Sequence, residues 1–215
     1  MRRFDMADLV QRRRGLDLAA GAVRRGKLVV LPTDTVYGVG ADAFSPDAVA
    51  ELLAAKGRNR DMPVPVLIGS PRTLDGIATG LSQEARDLVT AFWPGALTLV
   101  CLAQPSLQWD LGDTGGTVAV RMPLHPVAIE LLTETGPMGV SSANRSGAPP
   151  ATTADEAVEQ LGEAVTIYLD GGPCADSVPS TIVDVSGETA AVLRVGALPV
   201  DLLRTVVPGI ATPTA

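Results

Sequence analysis

Apolar and polar positions along the chain follow two rhythms, and the switches between them mark the elements. A helical stretch over 16–26 ends at Gly26, and the apolar run Leu28–Leu31 reads as a buried strand stopped by Pro32. Val49, Leu52 and Leu53 put an apolar stripe on a helix over Asp47–Lys56, with Ser45 as its cap and Pro46 in its first turn. Val64–Ile68 is the next strand, and Pro65 within it predicts an edge position or an unpaired N–H. Ser82 caps a helix running to about Phe92, which Trp93-Pro94-Gly95 closes. Strands are expected over Leu97–Leu102 and Thr117–Arg121, then a helix over Pro123–Thr133 and a short strand end at Gly139–Ser141. A helix over Thr153–Leu161 is capped by Thr152 or Thr153. Thr166–Leu169, Thr181–Val185 and Ala191–Val195 complete the strands, the last two joined as a hairpin through Ser186-Gly187. Pro199–Val206 is a final short helix, and 208–215 reads as a frayed tail.

Interleaved strands and helices make the fold α/β. Irregular strand spacing and the hairpin exclude a purely parallel doubly wound sheet and predict a mixed parallel and antiparallel one with flanking helices. The expected organisation is an N-terminal extension over 1–15, one catalytic domain over 16–198, and a short helix with its tail over 199–215.

Composition narrows the picture. Aromatics make up only 3% of the 215 residues, so the core must be built from Val, Leu, Ile and Ala. A net charge of −7 opposes a surface devoted to wrapping duplex nucleic acid, while leaving room for a local basic pocket. Cys101 and Cys174 form no CxxC pair, which fits a reducing compartment. Asp5 and Asp8 interrupt the segment after Arg2 and Arg3, so no signal peptide is read, and no apolar run approaches the ~20 residues that span a bilayer. A cytoplasmic protein with no membrane partner is the expectation.

Gly21–Lys27 spells GxxxxGK, but its strand follows instead of preceding it, and Leu28 replaces the metal-binding hydroxyl, so it reads as a helix end. Pro32–Gly40 is different: it follows a strand, where α/β sheets place ligands, and packs two Thr, an Asp and a Tyr between Pro and Gly. Lys56-Gly57-Arg58 fits both a helix C-terminal cap and a phosphate or carboxylate clamp. Ser141–Gly147 is either a turn or a nest for a phosphate or a base edge. Asp170–Gly172 and Pro179–Thr181 add a third polar loop, and Arg121 and Arg194 each end a strand. His125 is the lone histidine and reads as a capping or packing residue; with two separated cysteines it gives no zinc spacing, and no triad is legible around it. Any chemistry must therefore rest on positioning and electrostatics.

Seven segments in order, LPTDTVYGVG (31–40), KGRNRDMPVPV (56–66), FWPGALTLV (92–100), TVAVRMP (117–123), VSSANRSGAPP (140–150), PSTIVD (179–184) and LRVG (193–196), resemble the YrdC/Sua5 family, the L-threonylcarbamoyladenylate synthases. The resemblance implies a twisted mixed α/β sheet with a large concave groove. It implies that L-threonine, bicarbonate and ATP become threonylcarbamoyl-AMP and pyrophosphate, with Mg²⁺ screening the phosphates. A separate t6A transferase complex then modifies adenosine 37 of ANN-decoding tRNAs, and weak tRNA binding is a further expectation. Lys56 and Arg58 correspond to the family's catalytic KxR element, and Ser142 and Asn144 to its SxN element. Together with Ser180 and Arg194 they are expected to hold the nucleotide, with Thr35, Tyr37, Arg121 and Thr181 at the threonine end, and no protein-bound metal. Two departures stand out: Leu67 replaces a frequent histidine, and Met62 a frequent lysine or polar residue. A second reading is a double-stranded RNA or tRNA binding module, against which acidity and scarce aromatics weigh.

Overall fold

The computed structural model describes residues 1–175 and 177–212, and the last three residues of the expected tail lie outside the described residues. Its strands are β1 (Arg2–Asp5), β2 (Val29–Leu31), β3 (Gly38–Asp42), β4 (Val66–Leu67), β5 (Ala78–Thr79), β6 (Leu97–Ala103), β7 (Thr117–Arg121), β8 (Met138–Ser142), β9 (Ile167–Asp170), β10 (Thr181–Asp184) and β11 (Ala191–Arg194). The α-helices are α1 (Leu9–Val23), α2 (Pro46–Lys56), α3 (Leu74–Ile77), α4 (Gln83–Phe92), α5 (Pro126–Thr135), α6 (Ala154–Leu161) and α7 (Val200–Arg204). All strands join one sheet in the order β1-β9-β2-β3-β8-β4-β7-β6-β10-β11, with β5 beside β6. Parallel pairs (β1/β9, β2/β9, β4/β7, β6/β10) mix with antiparallel ones, as the irregular spacing predicted.

The helix starts follow side-chain caps. Ser82 Oγ accepts from the Ala85 N–H at 3.1 Å, and Ser45 Oγ from the Ala48 N–H at 3.4 Å. Thr153 is the cap of α6, while the Thr152 hydroxyl instead donates to the Glu156 carboxylate at 3.0 Å. Asp8 caps α1 through bonds from the N–H groups of Val10 and Gln11, so that helix starts at Leu9 and not at residue 16. Its first turns carry no apolar stripe, since Leu9 and Val10 lie in solvent, and so the hydrophobic pattern misses them.

Two further elements depart from the pattern. Arg2–Asp5 runs parallel to β9 as an edge strand and buries Phe4 and Met6 against α1. Pro65 does not mark an edge: β4 is short and lies between β7 and β8, and the Pro65 carbonyl accepts from the Val140 N–H at 2.8 Å.

Alternation along the strands splits the core in two. Leu28 and Val30 face one side with α2, α4 and α6, while Val29 and Leu31 face the other with α1 and α5. The α1–α5 layer packs no further across the sheet than Leu67 of β4. Beyond it, β7, β6, β10 and β11 keep their far face in the core through Val120, Leu99, Val183 and Val192 and leave the near face without a helix. That uncovered half-face is where polar side chains gather.

Phe4→Ala is expected to cost about 3 kcal/mol, or roughly 6–12 °C in Tm. Thermal unfolding of the variant checks this; an unchanged Tm would mean that the N-terminal strand contributes nothing to the core.

Candidate active site

A single row of strand positions forms the floor of a groove of about 340 Å³. Leu67 is the register partner of Arg121, Thr98 lies at the next position after the Leu99–Val120 pair, Thr98 pairs with Ile182, and Ile182 pairs with Arg194. These five side chains share one face because register partners point the same way. Thr33, Thr35, Arg58, Ser141 and Ser142 line the walls. A larger hollow of about 640 Å³ lies against α1, lined by Arg2, Leu9, Val10 and neighbours, but it holds no buried polar side chain. Convergent buried polar groups single out the groove.

Arg121 is the best-anchored of the groove residues. Its Nε donates to the Gly95 carbonyl at 2.9 Å, Nη1 to Thr35 Oγ1 at 2.9 Å and Nη2 to Asp34 Oδ1 at 2.7 Å. The same Asp34 oxygen accepts from the Leu124 N–H. Burial pushes the guanidinium pKa down and Asp34 opposes it, so the charge is neutralised locally. Arg121 therefore braces three segments from the wall of the groove.

Arg58 and Arg194 differ. Gly57 caps α2 in the left-handed region at φ 62°, turning the chain so that Arg58 reaches the groove. Its Nη1 donates to Ser141 Oγ at 3.3 Å, and its buried Nε has no partner among the described residues. Arg194 donates to the Ser180 carbonyl, at 2.7 Å from Nη2. The Ser180 hydroxyl in turn meets Thr98 Oγ1 at 2.8 Å. Gly196 makes that approach possible, since a Cβ there would lie 2.2 Å from the Pro179 carbonyl oxygen. Burial lowers the pKa of both arginines, which remain cations. Among the described residues no carboxylate lines the groove, and those that do line it supply cationic donors and hydroxyls.

Several expected ligands turn elsewhere. Lys56 is 1% exposed, and its ammonium donates to the carbonyls of Ser142 and Asn144, the latter at 2.7 Å. Burial first, and the charge of Arg58 second, push its pKa down to about 8. Asn144 folds into its own loop, its Nδ2 donating to the carbonyls of Arg145 and Ala148. The Tyr37 hydroxyl donates to the Gly172 carbonyl at 2.6 Å, with its pKa raised mainly by burial. The Thr181 hydroxyl donates to Leu198 and accepts from the N–H groups of Gly196 and Leu198. These four organise loops around the groove. Tyr37 also lines it, as do Thr35, Arg58, Ser142, Ser180 and Arg194, and Arg121 forms its wall.

Thr33, Asp34 and Ser141 lie in the polar loops read from the sequence but were given no individual role, and Thr98 was not singled out. Thr98 had a legible signal, as the one hydroxyl in the apolar run Leu97–Leu102. His125 heads α5 without a side-chain hydrogen bond, and its buried Nδ1 lacks a partner among the described residues. Lys27 pairs with Glu51 at 3.5 Å on the surface, away from the groove.

These contacts separate stability from binding. Lys56→Ala should leave the Ser142 and Asn144 carbonyls short of a donor and cost about 2–4 kcal/mol. Arg58→Ala should cost under about 1 kcal/mol. Chemical denaturation of the two variants checks the order, and a Lys56→Ala protein as stable as wild type would restore Lys56 as a free ligand.

The comparisons with known proteins agree with one another. The family model described as Telomere recombination (Sua5, YciO and YrdC) matches residues 21–196. A Mycobacterium tuberculosis H37Rv protein, provisionally named a threonylcarbamoyl-AMP synthase, is 61% identical over 193 residues, 90% of this chain and 89% of that one. The threonylcarbamoyl-AMP synthase of Pyrococcus abyssi is 39% identical over 88% of this chain and 56% of its own. The crystal structure of P. abyssi Sua5 complexed with L-threonine superposes with a TM-score of 0.92 at 35% identity, covering 98% of this chain and 62% of that one. The chain thus spans less than two thirds of that longer relative. Escherichia coli YciO shares the fold, with a TM-score of 0.83 at 23% identity. With the family model matching well over half of the sequence, and with relatives this similar along most of its length, the chain belongs to the Sua5/YciO/YrdC family.

Proposed function

We propose that this chain is an L-threonylcarbamoyladenylate synthase, joining L-threonine, bicarbonate and ATP and releasing pyrophosphate. The observation that carries the proposal is the pair of arginines, Arg58 and Arg194, directed into a groove that has hydroxyls and, among the described residues, no lining carboxylate. Such a groove favours polyanions. Its volume of about 340 Å³ suits a small ligand better than a nucleic-acid duplex.

In the proposed reaction the amine of threonine attacks the carbon of bicarbonate, and loss of water gives a carbamate. A carbamate oxygen attacks the α-phosphorus of ATP, the bond to the β-phosphate bridge breaks, and pyrophosphate leaves with the electron pair. Charge grows on the α-phosphoryl oxygens, where the Arg58 and Arg194 guanidinium groups would stabilise it. Lys56 acts at one remove, by holding the Ser142–Asn144 loop beside the nucleotide. Apolar groove residues such as Leu67 and Val140 limit water near the labile carbamate. Among the described residues no cluster of His, Cys, Asp and Glu could hold a metal, and the groove lining includes no carboxylate. The described lining thus offers no carboxylate to a Mg²⁺ ion, which would be held by the triphosphate. The product would serve the t6A modification of adenosine 37 through a separate transferase complex. No α-helix among the described residues is long and apolar enough to cross a membrane.

Pyrophosphate release measured with ATP and bicarbonate, with and without each amino acid, tests the proposal. Release should depend on threonine, and release independent of any amino acid would overturn it. Arg58→Ala should lower kcat/KM by roughly 30- to 1,000-fold, and Arg58→Lys should fail to rescue because the planar fork is lost. Near wild-type turnover in both folded variants would remove Arg58 from the mechanism.

A further inference from the structure

Arg58 is held in the groove by little of its own. Its guanidinium makes one side-chain bond, to Ser141 Oγ at 3.3 Å, and its buried Nε has no partner among the described residues. A long, flexible side chain with so few contacts takes its aim from the backbone that carries it. On one side that backbone is fixed by the end of α2, where the Gly57 N–H bonds the Ala54 carbonyl at 3.0 Å and the Arg58 N–H bonds the Leu53 carbonyl at 2.9 Å. On the other side the fixing comes from a distant part of the chain.

The connection from β6 to β7 covers 104–116, where antiparallel neighbours need only about 2–5 residues. The excess folds onto both ends of α2. Trp109 stacks on Phe44, just before the helix, with ring centroids 5.5 Å apart. Beyond the helix, the Arg60 guanidinium donates to both carboxylate oxygens of Asp110, at 2.9 and 2.8 Å. The Arg60 carbonyl accepts from the Asp113 N–H at 2.8 Å, and the Val64 N–H donates to the Leu111 carbonyl at 2.9 Å. Leu111 is buried and seats this segment in the core. Gly112, at φ 101°, lets the two segments approach, since a Cβ there would lie 2.8 Å from the Arg60 carbonyl oxygen.

We propose that Arg60 and Asp110 are positioning residues: their ion pair clamps the 104–116 excursion onto the chain after Gly57 and thereby aims the Arg58 guanidinium at the nucleotide phosphates. The inference rests on the reading of the groove as a nucleotide site. Neither residue lines the groove, so each acts through Arg58. Two parallel bonds from a guanidinium to a carboxylate fix an orientation as well as a distance. Both side chains are about half exposed, so the pair adds little to global stability. Its effect falls on the chemistry, where misplacing a contact group by about 1 Å can cost on the order of a hundredfold.

The test is a double-mutant cycle. Asp110→Ala and Arg60→Ala are each made in the wild type and in Arg58→Ala, and binding of the non-cleavable α,β-methylene analogue of ATP is measured by calorimetry. Each should weaken binding about fivefold to tenfold in the wild type and by less than about twofold in Arg58→Ala, because the group it aims is already gone. In steady-state assays kcat/KM for ATP should fall about tenfold with the same dependence on Arg58, while the threonine KM stays within about twofold. Tm should move by no more than about 4 °C. Asp110→Asn, which keeps the side-chain shape, serves in place of Asp110→Ala should that variant fail to fold. Equal losses in both backgrounds would overturn the proposal, as would unchanged affinity in the folded single variants. A calorimetric cycle of the expected form in a protein that releases no pyrophosphate would uphold the clamp and defeat the synthase reading. A wild-type protein without affinity for the analogue would overturn both.

Discussion

A buried guanidinium at the end of β7 sets the conditions for everything around it. A desolvated charge has to be paired and fully hydrogen-bonded, or it destabilises the fold by several kcal/mol. Arg121 meets that demand by drawing in three separate segments, through Asp34, Thr35 and the Gly95 carbonyl. The loop after β2, the turn after α4 and the start of the segment leading to α5 thereby converge on one point, with Asp34 also bonding the Leu124 N–H. The same commitment that holds these segments together fixes the Arg121 guanidinium in the wall of the groove that Arg58 and Arg194 also line.

Lys56 repeats the logic at the opposite wall. It stands in a motif that suggests a phosphate ligand, yet it is buried on backbone carbonyls of the Ser142–Asn144 loop. Its neighbour two residues on, beyond a left-handed glycine, is the one that faces the groove. The groove is therefore built with inner cations that shape loops and outer cations that remain available. Spacing in the sequence does not separate the two, because both are cations and what divides them is the side of the Gly57 turn that each occupies.

Much of the sheet was legible because long apolar runs and good caps agree with each other, as in Leu97–Leu102 and at Ser82. Where the structure departs from the pattern, the cause is local. The strand Gly38–Asp42 hides behind its glycines, which read as loop; a Cβ on Gly38 would sit 2.6 Å from Val140 Cγ1, so close packing against β8 requires them. The strand Arg2–Asp5 is short and charged, and its partner lies at the far end of the chain, beyond the reach of any local pattern. In the site, motifs indicated the loops correctly, but not which hydroxyl in each loop is free. Tyr37 and Thr181 sit in polar motifs and spend their hydroxyls on loop carbonyls, a matter of three-dimensional partners that residue type does not record.

The groove floor and the core occupy alternate positions of the same strands: Thr98 between Leu97 and Leu99, Ile182 beside Val183, Arg121 after Val120. Interleaving of this kind makes chemistry and folding separately adjustable. What the floor offers can change by substitution at positions such as 67 while each flanking residue keeps its place in the hydrocarbon interior. The converse is a severe penalty on insertion or deletion within β6, β7 or β10, since a slip of one residue would present valine and leucine to the ligand and turn arginine and threonine inward. Length in these strands is thus held by two demands at once, and variation is free to collect in the loops at their ends.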